Sequence, residues 1–381
     1  MKPGLPFDKL LAIQNSALRE PSEVICGSYN ASGIVPELLK YTVKGDFFSV
    51  LEKLNITLLV TREYEHLVIA LNVKNKKIRQ SFLHLPHPSG IAVKNDTNKV
   101  YIAATRNPNQ VVELALASNP GEKKSKATLI PARVKYYGGG YYFHDLAFIG
   151  GNLYANSVGK NGIIRVDFNS SKPDDLAWSP LSAKQNTSNH IQLNSIAAGK
   201  SIEGSYFSAS AEKPGKYKPG ELKFPVDKKG VIFSGKTKKV VARGLTRPHS
   251  ARFYNDKLWI NNSGYGEFGY IDKQNFTSFV KLPGWTRGLC FKDNVAFVGV
   301  SRVIQKFKAY APGIKEKQQQ CGIYAIDMTT KKIIGNIEWP YGNQIFGLET
   351  ISAEVCDGFL FTKVNSSSKE EANFFSNYII K

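Results

Sequence analysis

Four of the chain's six histidines, His87, His144, His190 and His249, each open one copy of a short recurring unit. Arg287 and Gln344 open two further copies. If a fold gathers these openings at one point, His144, His190 and His249 would make a three-nitrogen centre with free coordination positions. That is the pattern of a catalytic Zn or Mn site rather than a closed structural one. Asp145 or Asn194 would orient the rings, and Arg287 would bind a carboxylate or steady developing negative charge. On this reading His190, His249 and Arg287 carry catalysis, of lyase or hydrolase type, while His87, Asp145, Asn194, Trp285 and Gln344 contact the ligand. The same groups read equally well without a metal, as hydrogen-bonding partners of a polar ligand. The plain alternative is a scaffold, in which a histidine at a strand entry caps a backbone carbonyl and the ring serves as a non-catalytic protein- or glycan-binding platform.

The elements that must position these residues are β-strands. After about residue 55 the chain is a series of four- to seven-residue runs rich in β-branched and aromatic types, bounded by Gly, Asn, Asp or Lys turns. Each unit has a polar or cationic opening, a β run, a turn and a second β run containing small residues. The openings recur at steps of 38 to 59 residues. That spacing suits the four-stranded blades of a propeller, whose innermost strands begin around one mouth of a central channel. The sequence therefore predicts an all-β, six-bladed propeller over 55–381, with a partly helical extension over 1–54. A seventh blade is the alternative if residues 41–75 close one.

Composition bounds the rest. The chain has 381 residues, of which 42% are hydrophobic and 22% charged, so it can bury a large core and wholesale disorder is excluded. No run approaches the ~18 apolar residues of a membrane helix. The net charge of +20 favours anionic partners. The lysines gather in Pro/Gly-punctuated tracts, notably 213–239, which reads as a long exposed insertion. That tract lacks interleaved stacking aromatics, which argues against nucleic acid and leaves a small anionic molecule or an acidic glycan as the expected ligand. The cysteines, Cys26, Cys290, Cys321 and Cys356, have no metal or redox spacing and read as buried thiols. The first twenty residues lack the pattern of a signal peptide, so a cytoplasmic location is expected.

The segment from Leu245 to Asp272 contains Arg247-Pro248-His249 and Asn261-Asn262-Ser263-Gly264-Tyr265-Gly266-Glu267. It resembles the signature of an uncharacterised bacterial family of conserved hypothetical proteins with a domain of unknown function. Pro283-Gly284-Trp285-Thr286-Arg287-Gly288-Leu289 with Val298-Gly299-Val300-Ser301-Arg302, and the stretch 190–197, are similar to two further blocks. The resemblance covers about residues 55–355. It implies a β-propeller and carries no activity with it. The position of His87 is usually Arg in such relatives, and the Lys-rich 213–239 insertion departs from them.

Overall fold

A computed structural model of the chain describes residues 6, 9, 33–106, 109–118, 127–170, 174–185, 188–315, 319–364, 374 and 376–381. Its strands form six separate sheets arranged as the blades of a propeller. Taken from the axis outward, blade 1 is Gly347–Ser352, Ile56–Arg62, Leu67–Lys74 and Lys77–His84. Blade 2 is Pro88–Lys94, Lys99–Ala104, Asn109–Ser118 and Ala127–Tyr137. Blade 3 is Phe143–Ile149, Asn152–Ser157, Gly162–Arg165 and Leu176–Trp178, and blade 4 is Leu193–Ala197, Tyr206–Ala209, Gly230–Ser234 and Val240–Leu245. Blade 5 is Pro248–Tyr254, Lys257–Asn262, Glu267–Asp272 and Asn275–Lys281; blade 6 is Trp285–Lys292, Val295–Ser301, Gly322–Asp327 and Ile333–Glu338. There is no seventh blade among the described residues, because residues 56–84 supply the three outer strands of blade 1. Their inner strand comes from the far end of the chain, with Ile56 opposite Ser352 and Thr61 opposite Gly347. The circle is thus closed by main-chain hydrogen bonds between distant segments, and the inner edges that remain are short and turned toward the axis.

A second set of bonds stitches each blade to the next. Polar side chains donate to carbonyl oxygens at the start of the following blade's inner strand. Thr61 donates to Ser89 O (2.5 Å) and Ser89 to Phe143 O (2.8 Å). Asn156 reaches Leu193 O (2.6 Å) and Asn194 reaches Pro248 O (3.0 Å). Ser263 donates to Thr286 O (2.6 Å), and Ser301 to Ile345 O (3.0 Å), which completes the circuit. All six donors are buried. A buried hydroxyl or amide without a partner would cost ~1–3 kcal/mol, so these residues are held where the carbonyls are. The inner strands also need small residues where they meet. A Cβ on Gly90 would lie 2.5 Å from Asp145 Cα.

Between blades the faces are apolar. Blades 6 and 1 enclose Phe297, Ile323, Ile337, Trp339, Leu58 and Ile69, and blades 3 and 4 enclose Trp178, Phe207 and Phe233. Each such side chain contributes ~1.5–3 kcal/mol by leaving water. The segment before residue 55 joins this core. Thr42–Gly45 pairs with Ile333–Glu338 as a fifth strand of blade 6, and the helix Phe47–Lys53 buries Phe47 edge-on against Phe297 (6.2 Å). Of the partly helical extension expected over 1–54, Pro36–Leu39 is a short 3-10 turn and Phe47–Lys53 an α-helix, and residues 10–32 lie outside the described residues. Cys290, Cys321 and Cys356 are buried free thiols, and Cys26 is outside the described residues.

A candidate anion site on the propeller axis

The chain enters its inner strands through a left-handed turn. His87, Tyr142, Gln192 and Arg247 have φ of 43°, 51°, 48° and 53°, and each immediately precedes an inner strand. This conformation is uncommon for such residues and costs ~1 kcal/mol or more. It fixes a common register. In that register His144, Asn194 and His249 are equivalent, as second residues of their strands, whereas His87 and Arg247 stand one residue before theirs. His190 and Gln344 lie three residues before, and Arg287 is the third residue of its strand. The openings read from sequence as one position are therefore four different positions. Register slips of one residue in the inner strands, between His249 and Arg252 or Thr286 and Leu289, re-aim side chains further.

Around the mouth where the inner strands begin, the structure assembles arginines rather than a trio of histidines. Arg287 is 6% exposed; its Nη2 lies 3.4 Å from His144 Nδ1, and its guanidinium covers the Phe346 ring at 3.3 Å. Guanidinium only donates, so His144 Nδ1 is the acceptor and its proton sits on Nε2. With its amide turned to satisfy both neighbours, Gln344 accepts from Arg287 Nη1 (3.1 Å) and donates to Glu63 Oε2 (3.0 Å). Glu63 also accepts from Thr105 and lies 3.9 Å from Arg106 Nη2.

Arg247 is 5% exposed, and its guanidinium faces Tyr310 at 4.6 Å and Trp285 at 5.7 Å. Its Nε and Nη1 have no hydrogen-bond partner among the described residues, nor does Trp285 Nε1. Burial pulls the pKa of both Arg247 and Arg287 down to about 10, which still leaves them charged at neutral pH. Glu63 is the carboxylate set against Arg106 and Arg287.

His249 completes the site. Its Nδ1 is 2.9 Å from Ser263 Oγ. Ser263 has one proton, which goes to Thr286 O, so toward the imidazole the hydroxyl accepts and Nδ1 must carry the hydrogen. Nε2 is then a bare lone pair, and no described residue donates to it. Burial holds the pKa of His249 and His144 well below the usual imidazole range. Arg287 and Arg247 push both further down, and Asn194 partly offsets this at His144. Both rings stay neutral at pH 7.

The remaining expected residues are engaged by other partners, though Asn194 adjoins His144. His190 Nε2 meets Ser188 Oγ at 3.3 Å, and Ser188 in turn accepts from Lys218. The His87 ring packs on His66 of blade 1, with centroids 4.3 Å apart. Asp145 lies deeper in the bore, bound by both Nη atoms of Arg252 (2.8 and 3.0 Å) and by Ile196 N (2.9 Å). Asn194 spends its NH2 group on Ser210 and Pro248 O. Among the described residues no three His, Cys, Asp or Glu side chains form a group that could hold a metal ion, so the donor set does not fit the trihistidine Zn or Mn centre expected from sequence. Arg247, Arg106, Glu63, Tyr310 and Phe346 were not singled out by sequence reasoning. Arg247 had a signal, since it precedes a proline that fixes the strand entry; the others come from loops with no common spacing.

The Lys-rich insertion is not a detached loop. Phe224 and Val226 are buried with Trp285 and Tyr310, and Gly220 N donates to Tyr310 Oη (2.9 Å). Lys228 N and Asp227 both bond Thr246, beside Arg247. Lys213, Lys216, Lys218, Lys223, Lys228 and Lys229 remain exposed on its outer side. The insertion thus backs the aromatic wall behind Arg247 and turns a basic surface outward.

Comparison with known proteins agrees with the architecture. In solved structures the chain is similar to one titled a nidogen/laminin complex, at 10% identity and TM-score 0.52, covering 77% of this chain and 98% of that one. It is similar to a protein of unknown function from Bacteroides caccae, at 10% identity and TM-score 0.51, covering 78% and 99%. It is also similar, at 14% identity and TM-score 0.44, to a gluconolactonase from Xanthomonas campestris, covering 67% and 77%. At these identities the likeness concerns the fold alone. No curated relative matches the chain. The family model described as "Domain of unknown function (DUF4915)" matches residues 45–358, from the last residue of the added blade 6 strand, through the strand that closes blade 1, into the short strand Cys356–Phe359 that pairs with the outer strand of blade 2, and the chain belongs to that family.

Proposed function

We propose that the axial mouth binds a small organic dianion that also carries a hydroxyl group, with the protein's own side chains supplying the recognition. The observation that carries this is the charge balance of the site. Arg106 and Arg287 face the carboxylate of Glu63, no described carboxylate bears on Arg247, Asp145 is spent on Arg252, and both histidines are neutral. Two positive charges are left over in a place sheltered from water. A buried charge without a counter-charge costs several kcal/mol, so a ligand with two negative charges gains most there. Arg247 offers two open donors and Trp285 one, while His249 Nε2 offers an acceptor that a ligand hydroxyl would fill. An acidic glycan end would meet the same requirements, and the outward lysines of the insertion would suit its continuation.

The test is thermal denaturation and calorimetry with malate, succinate, phosphate and sulfate against acetate and lactate. The dianions are expected to raise the melting temperature and the monoanions not. Arg247→Gln should weaken dianion binding by at least tenfold, as losing a charge-assisted contact implies. A protein that responds to none of them, or a variant that binds as well as the parent, overturns the proposal.

A second reading rests on His249. A neutral imidazole with a fixed tautomer and a free Nε2, beside two guanidinium groups, is the arrangement of a general base acting next to an electrostatically held carboxylate. Incorporation of deuterium from D2O into malate at C3, followed by NMR and abolished in His249→Asn, would separate catalysis from binding alone.

A further inference from the structure

The channel has a second mouth. At the ends of the inner strands lies a cavity of about 760 Å³, lined by all six blades. Residues late in the strands line it: Ala147 and Phe148 of blade 3, Arg252 of blade 5, Phe291 and Lys292 of blade 6, and Glu349 to Ser352 of blade 1. The arginine site uses residues early in the same strands, and the Asp145–Arg252 pair stands between the two along the strands. The volume is that of a small-molecule site.

Its chemistry differs from that of the first mouth. Arg252 is already neutralised, since both Nη atoms bind Asp145 and Nη1 also donates to Ile196 O and Ala251 O. The remaining ionisable groups are mixed in sign: Lys292 and Glu354 on the rim and Glu349 inside. The lining polar groups are amides and hydroxyls, Asn55, Asn95, Asn98, Thr350 and Ser352, beside the part-exposed rings of Phe148 and Phe291. Amides and hydroxyls that both give and take hydrogen bonds, beside aromatic faces, match the alternating hydroxyl and C–H surfaces of a sugar ring.

We infer that this second mouth is a separate binding site for a neutral polyhydroxylated ligand of monosaccharide size, with Glu349 and Thr350 as its inner hydrogen-bonding contacts. Burial, partly offset by Arg252, raises the Glu349 pKa to about 7. Its carboxyl can therefore donate as well as accept near neutral pH. Asp145 and the Cys290 thiol are the other titratable groups close to this Glu349–Arg252 pair.

Saturation-transfer NMR on the full chain with D-glucose, D-galactose, N-acetyl-D-glucosamine and myo-inositol tests this. Transfer to at least one of them is expected, with millimolar affinity. Two nearly isosteric variants, Glu349→Gln and Thr350→Val, keep the fold within reach, and a fivefold or greater loss in either supports the site. The thermal response to malate should be unchanged in both variants, so this test stands apart from that of the arginine site. No transfer from any of the four, or equal transfer in the parent and both variants, overturns the inference.

Discussion

Ser263 shows how much one residue can decide. By spending its only proton on Thr286 O, it forces the His249 hydrogen onto Nδ1 and turns Nε2 toward the ligand. Ser263→Ala removes that constraint. The variant should bind malate several-fold more weakly while succinate, which has no hydroxyl for Nε2, is barely affected; calorimetry with the two acids reads the difference. Protonation is the other residue-scale consequence. His144 and His249 have folded-state pKa values below the unfolded value of about 6.5, so the unfolded chain binds more protons once pH falls below that point. Their contribution to stability is complete above pH 6.5 and is lost on acidification, by up to about 1.4 kcal/mol per pH unit for each ring. Glu349 acts in the opposite sense. Its pKa is raised from 4.5 to about 7, so its contribution is present at low pH and lost as pH rises through 7. Melting profiles from pH 5 to 8 should therefore flatten on the acid side in His249→Asn. In Glu349→Gln they should gain stability at pH 8 relative to the parent.

At the scale of elements, the aromatic wall behind Arg247 depends on a segment whose composition reads as solvated. Nine lysines lie between Lys213 and Lys239, and the charge run hides an alternation in which Phe224 and Val226 tuck under while their neighbours face out. Strand chemistry was legible because β-branched runs between turn residues report local geometry, and the blade count followed from their spacing. The register at the mouth was not legible. Left-handed entry residues and one-residue slips are decided by how blades meet, and a single slip moves a side chain to another face. That is why the sequence treats His87, His144, His190 and Arg287 as one recurring position, whereas the strands carry them at different registers, with His144 beside Arg287, His190 on Ser188 and His87 packed on His66. Phe224→Ala tests the element. Removing the ring should loosen Tyr310 and Trp285, weaken the cation–π hold on Arg247, worth about 0.5–2 kcal/mol, and lower dianion affinity three- to thirtyfold. Sugar binding at the far mouth should be unaffected.

At the scale of the whole molecule, both mouths exist only because six inner strands approach closely enough to close a ring. Gly90 is where this requirement can be probed with one carbon atom. The nearest atoms to an added Cβ are the Asp145 Cα, the Leu146 N and the Asp145 C, at 2.5, 2.5 and 2.6 Å, and all are backbone. No rotamer change can relieve that clash; blades 2 and 3 would have to part. Gly139 is the contrasting case, because its Cβ would meet nothing within 4 Å and only its φ of 91° opposes substitution. Gly139→Ala should cost about 1 kcal/mol, the ordinary penalty of a left-handed residue. Gly90→Ala should cost several times more in urea denaturation. It should also do something that Gly139→Ala cannot. Asp145 follows His144 and anchors Arg252, so a displaced blade 3 disturbs the arginine site and the sugar site together. Loss of malate and sugar binding in the same proportion would follow from a shared ring. A variant that loses one and keeps the other would mean that the two mouths are held by separate parts of the molecule.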